Sequence, residues 1–184
     1  MTLTKLRTAA ASSLAAAGLL ISLAACSTPA ATPEASTAPA ATAATSASAD
    51  PAAPCDGVKV IVDATALKQD ATSICVPVDG ETLASEVLAK AEVKTEGTTT
   101  YPTELVCRVN GIPAADMDIK HSAGTYREEC KDMPAAFAYW ALWTKPAAGE
   151  WGYAQEGLAT LKVNPGESLE LLYTLDGAPA APTA

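Results

Sequence analysis

Val58, Val60 and Val62 alternate with Lys59, Ile61 and Asp63, and this two-residue period predicts a strand. Residues 74–78 form a second β-rich run, and the two read as a hairpin closed by residues 67–72. Asp79-Gly80 then turns the chain, and Leu83, Val87, Leu88 and Ala91 recur at helical spacing, which predicts a helix over residues 82–91. A third strand over residues 105–109 ends at the turn pair Asn110-Gly111. Residues 112–134 follow no clear period and read as a long loop. Two strands, 137–144 and 150–155, make a hairpin across residues 145–149, and the turn Pro165-Gly166 leads into a last strand over 169–175. Helix and strands do not alternate one for one. The pattern therefore predicts an α+β fold, a mixed sheet packed on one helix.

The flanks cannot contribute to that core. Residues 27–54 are Ala, Ser, Thr and Pro apart from Glu34 and Asp50, with no aromatic or branched aliphatic side chain to bury. Such a segment reads as a disordered spacer with a root-mean-square span of about 30 Å. The tail 177–184 has the same character, which leaves one domain over residues 55–176. Ahead of the spacer stand Lys5 and Arg7, an apolar stretch over 14–23, and Leu23-Ala24-Ala25-Cys26. That sequence of parts predicts a bacterial lipoprotein signal peptide, residues 1–25, cleaved so that Cys26 carries lipid. Two or more acyl chains suffice for stable anchoring. No later apolar run approaches the roughly 18 residues a membrane span requires. The expected location is the outer face of the cell membrane, with the domain tethered by its lipid.

The formal net charge is −9, and the signal segment holds two cations and no acid, so its removal leaves −11. A surface of that sign, without a basic cluster, excludes nucleic acid as a partner and is not drawn to anionic lipid. Beyond Cys26 the cysteines are Cys55, Cys75, Cys107 and Cys130, an even set in an exported chain, which predicts two disulfides. Three connectivities are open. The expected one joins Cys55 to Cys75 and Cys107 to Cys130, because each pair closes a short loop inside one supersecondary unit. A zinc site is disfavoured by the absence of C-x-x-C spacing and by His121 being the sole histidine.

The predicted hairpin concentrates all three tryptophans, Trp140, Trp143 and Trp151, and the single phenylalanine, Phe137. With Trp143 set opposite Trp151 and Ala141 opposite Tyr153, the side chains of Tyr139, Trp143, Trp151 and Tyr153 share one face, while Trp140 and Leu142 take the other. Two aromatic faces exceed what one helix can cover. The four residues of the first face are therefore the candidate ligand-binding set. Other polar clusters point to less: His121 stands near Asp116, Asp118 and Ser122 without a nucleophile motif and reads as solvated, as do Glu128 and Glu129. The Asp116/Asp118 pair lacks the glycine and closing glutamate of a calcium loop. No catalytic set, metal site or cofactor is predicted.

The run from Val106-Cys107-Arg108-Val109-Asn110-Gly111 through Tyr139-Trp140-Ala141-Leu142-Trp143 and Trp151-Gly152-Tyr153-Ala154-Gln155 to Asn164-Pro165-Gly166-Glu167-Ser168-Leu169 resembles the C-terminal domain of transcobalamin and intrinsic factor, and small exported actinobacterial proteins related to it. The resemblance spans residues 58–175 and implies a β-grasp-like fold. In those carriers the domain closes over the corrin together with a helical domain, and no helical partner is read in this chain, so it implies the fold and not the ligand. Two functions remain: a binding module that captures a small or medium ligand on the aromatic hairpin, or an envelope interaction protein whose acidic loop, residues 112–131, meets a protein partner.

Overall fold

The computed structural model describes residues 54–183; the signal peptide, Cys26 and the spacer up to residue 53 lie outside the described residues. In chain order the elements are β1 (Val58–Asp63), β2 (Thr72–Val76), β3 (Thr82–Leu83), α1 (Ala84–Lys90), β4 (Thr95–Gly97), β5 (Val106–Val109), β6 (Ile119–His121), β7 (Gly124–Tyr126), β8 (Ala138–Lys145), β9 (Gly152–Tyr153), β10 (Lys162–Val163) and β11 (Ser168–Leu175). The main sheet runs β2-β1-β11-β8-β9. Its central pair, β1 and β11, is parallel, with Val60 beside Leu169 and Val62 beside Leu171, and the other neighbours are antiparallel. Among the described residues, the mixed sheet and one α-helix agree with the expected α+β class.

Alternation along each strand explains the layering. Val58, Val60 and Val62 of β1, Leu169, Leu171 and Tyr173 of β11, and Ala138 and Trp140 of β8 point to one face, where Ala84, Val87 and Leu88 of α1 meet them. Burying each large aliphatic chain contributes about 1.5–3 kcal/mol, so this layer is the main source of stability. On the opposite face Ala141, Trp143 and Leu172 form a second cluster, joined by Tyr139 and Trp151.

Several boundaries differ from the periodic reading. The helix begins at Ala84 because Thr82 and Leu83 pair with Val163 and Lys162, drawing those two residues into a ladder. Leu83 offers no capping side chain. Instead the first helical N–H groups, of Ala84 and Ser85, donate to the carbonyls of Leu161 and Leu158 at 2.8 and 3.2 Å. Residues 112–134 are not a plain loop: Ile119–His121 and Gly124–Tyr126 pair as a small hairpin. Its sequence is too polar to show a period, as is that of β4, which pairs with β5. Beside that pair only glycine fits at Gly97, where a Cβ would lie 2.1 Å from the carbonyl oxygen of Pro102.

Cys55 is bonded to Cys75 and Cys107 to Cys130, the expected pairing. The start of the tail is held: the Ala178 N–H donates to the Leu175 carbonyl, and the Thr174 hydroxyl to that of Pro179. Among the described residues no helix is long and apolar enough to cross a membrane.

Candidate binding groove beside the aromatic hairpin

The hairpin register differs by two residues from the expectation. Trp143 lies opposite Tyr153, not Trp151, and Thr144 opposite Gly152. The cause is the connection: β8 continues to Lys145 and β9 starts only at Gly152, so Trp151 falls in the turn, with the Lys145 ammonium 5.7 Å from its ring centroid. The face assignment is unaffected by a two-residue shift. Tyr139, Trp143 and Tyr153 share one side, and Trp140 packs on the helix side, its ring edge-on to Tyr173.

The four candidate residues divide. Trp143 is buried, and Tyr153, half exposed, stacks on it with centroids 3.9 Å apart. Tyr139 and Tyr153 are hydrogen-bonded neighbours; burial first, and then this bond, push the Tyr153 hydroxyl above its usual range. Both tyrosines line a cavity of about 510 Å³, whereas Trp143 and Trp151 do not. The cavity is also walled by Leu105 and Val106, by Met133 and Pro134, and by residues 154–158. Sequence reasoning missed these walls, since they are brought together from three segments far apart in the chain, only parts of which carry a strand pattern. Only the prominently exposed Met133 is the kind of apolar side chain that flags such a rim.

The cavity takes in Tyr139, Trp140 and Leu142 together, side chains that leave β8 on opposite faces. A single space can touch both faces only by wrapping the strand's edge. The edge is open there because β9 is so short: it pairs with Trp143 and Thr144 and adds one bond, from the Ala154 N–H to the Leu142 carbonyl at 2.9 Å. At the other end the Ala138 N–H donates to the Ala135 carbonyl at 3.0 Å.

The loop expected to be merely stapled is also wired by polar groups. Arg108 is buried; its Nε donates to the Pro113 carbonyl at 2.8 Å, Nη1 to Glu96 at 2.8 Å and Nη2 to the Glu128 carbonyl at 2.7 Å. Glu128 is not solvated as expected: it is buried, and its carboxylate accepts from the Tyr126 hydroxyl and the Cys130 N–H, both at 2.7 Å. Burial, then this bond, push the Tyr126 hydroxyl up to about 12. His121 likewise departs from the solvated reading, stacking on Phe137 at 4.1 Å with Asp176 3.9 Å away. Asp118 pairs with Arg127. Among the described residues the one grouping of three metal-ligand types is Glu96 with Cys107 and Cys130, whose sulfurs are already bonded to each other.

On the second sheet face Glu170 stands opposite Trp143 and is buried. Burial, and secondarily the charge of Asp63, push its carboxyl up to about 7.

Comparison with known protein families, curated proteins and solved structures finds no match to this chain.

Proposed function

We propose that the chain is a lipid-anchored extracytoplasmic binding module that captures its ligand in the groove beside the aromatic hairpin and carries out no chemistry on it. The observation that carries this reading is the cavity of about 510 Å³, a size suited to a small organic ligand, lined mainly by apolar residues together with Tyr139 and Tyr153 and a few polar side chains. Cys26, with the apolar and basic residues before it, supports the anchor. The two disulfides agree with an oxidising compartment. The strand order, with the first and last strands parallel at the centre and a helix across one face, supports the β-grasp-like reading.

Titration of the purified chain with a neutral solvatochromic dye such as Nile red tests the groove. Saturable binding is expected, weakened at least about tenfold by Leu105→Glu, which places a charge in the wall. Binding that is absent, or indifferent to that charge, rejects the reading.

A further inference from the structure

We infer that the groove takes a short extended peptide, about three residues long and cationic at one end, which adds as a strand to the open edge of β8. This rests on the groove being a binding site and names its ligand class.

The backbone supplies the first argument. Successive residues of a strand aim their N–H and C=O groups to alternate sides. The Phe137 carbonyl accepts from Asp176, on the β11 side, and the Leu142 carbonyl accepts from Ala154, on the opposite side. Trp140 has the parity of Leu142, so its N–H and C=O both face the groove. No described backbone group pairs with them, nor with the Leu142 N–H, since β9 stops at Tyr153 and Ala154 returns only one bond. Here a donor, an acceptor and a second donor lie in a row along the open edge of β8, ready to pair with an added strand.

Length follows from the two closures. The pairing of Ala154 at Leu142 and of Ala135 at Ala138 bounds an opening of four residue steps, roughly 13 Å. About three residues of extended chain fill it. The edge is recessed between residues 133–136 and 154–158, which keeps out the rigid strand of another folded domain and admits a flexible peptide. In the strand-addition mode, main-chain bonds supply affinity and flanking pockets read alternate side chains. Here Leu105, Val106 and Leu158 form an apolar pocket on one flank, and Tyr139 and Tyr153 offer rings and hydroxyls on the other.

Charge sets the polarity of the ligand. Glu104 and Glu156 both line the groove, and none of its lining residues is Lys or Arg. In a chain of net charge −9 this favours a free amino terminus or a basic side chain and disfavours a carboxylate.

The test uses the purified full-length chain and the peptide Lys-Val-Leu amide, with analogues N-methylated at Val or at Leu and with Glu replacing Lys. Strand addition predicts that one of the two N-methyl analogues binds at least about tenfold more weakly and the other about as well as the parent, because only alternate amides face the edge. It also predicts slowed hydrogen exchange at the Trp140 and Leu142 amides on peptide binding, and weaker binding by the glutamate analogue. Equal effects of the two methyl groups, or unchanged exchange at Trp140 and Leu142, overturn strand addition; if Nile red is still bound, the groove stands as a site for another ligand class. If neither peptide nor dye binds, both readings fall.

Discussion

The Tyr153 ring lies on the Trp143 ring at 3.9 Å, so a half-exposed residue of the short strand β9 shields a buried residue of the long strand β8. The stack closes one end of the hairpin, just where the open edge begins. Because Tyr153 works from outside and Trp140 from within the main core, truncating them should cost different amounts. Trp140→Ala is expected to lose about 3–5 kcal/mol and Tyr153→Ala under about 1.5 kcal/mol. Urea unfolding of both variants decides it, and equal costs would contradict the layering.

Glu170 gives the fold a pH dependence with a defined sign. Its folded pKa, about 7, lies above the unfolded value of 4.5, so the folded state holds the proton more tightly. Stability is therefore fullest below about pH 4.5 and is lost as pH rises through 7, by roughly 2–4 kcal/mol for this group. Glu170→Gln, which cannot ionise, should abolish that component. Denaturant midpoints for both proteins at pH 5 and pH 8 test it; parallel pH profiles would mean that Glu170 ionises freely in the fold.

The main sheet was largely legible in the sequence because its strands are apolar and periodic. Val58, Val60 and Val62 declare β1, and the Trp/Tyr runs declare β8. β4, β6 and β7 were not legible, for their residues are polar and are placed by partners remote in sequence. The guanidinium of Arg108 and the carboxylate of Glu128 organise that region, and neither leaves a periodic trace. At the site, face parity predicted which aromatics share a side. The register was missed because Lys145 continues the strand, and the cavity because its walls are assembled from segments remote in sequence.

Arg108 ought then to be far less replaceable than its charge implies. Arg108→Lys keeps the cation but cannot reach the Pro113 carbonyl, Glu96 and the Glu128 carbonyl together, and a loss of about 2–3 kcal/mol is expected. Thermal unfolding would show it, and a variant as stable as the parent would make the three bonds energetically idle.

The disulfide Cys107–Cys130 closes a loop of sequence separation 23, for which loop entropy gives about 3 kcal/mol. Cys107→Ala/Cys130→Ala should lower stability by that order and speed hydrogen exchange across residues 112–134. Unchanged exchange there would assign the loop's rigidity to Arg108 alone.

For the anchor, Cys26→Ser should abolish incorporation of a clickable fatty acid and shift the chain out of the membrane fraction. Persisting label would place the lipid elsewhere.

The parallel pairing of β1 with β11 also dictates a schedule for folding. β11 is the middle strand of the five, yet it is the last to be synthesised, so until Leu175 has emerged the β1–β2 ribbon and the β8–β9 ribbon have nothing to join them. Local hairpins such as β1–β2 can form early, but the pairing of β11 with β1 and β8, which closes the sheet, comes last. Under the export proposed above, that late closure would leave the sheet open while the chain crosses a translocation channel and let it close on the far side.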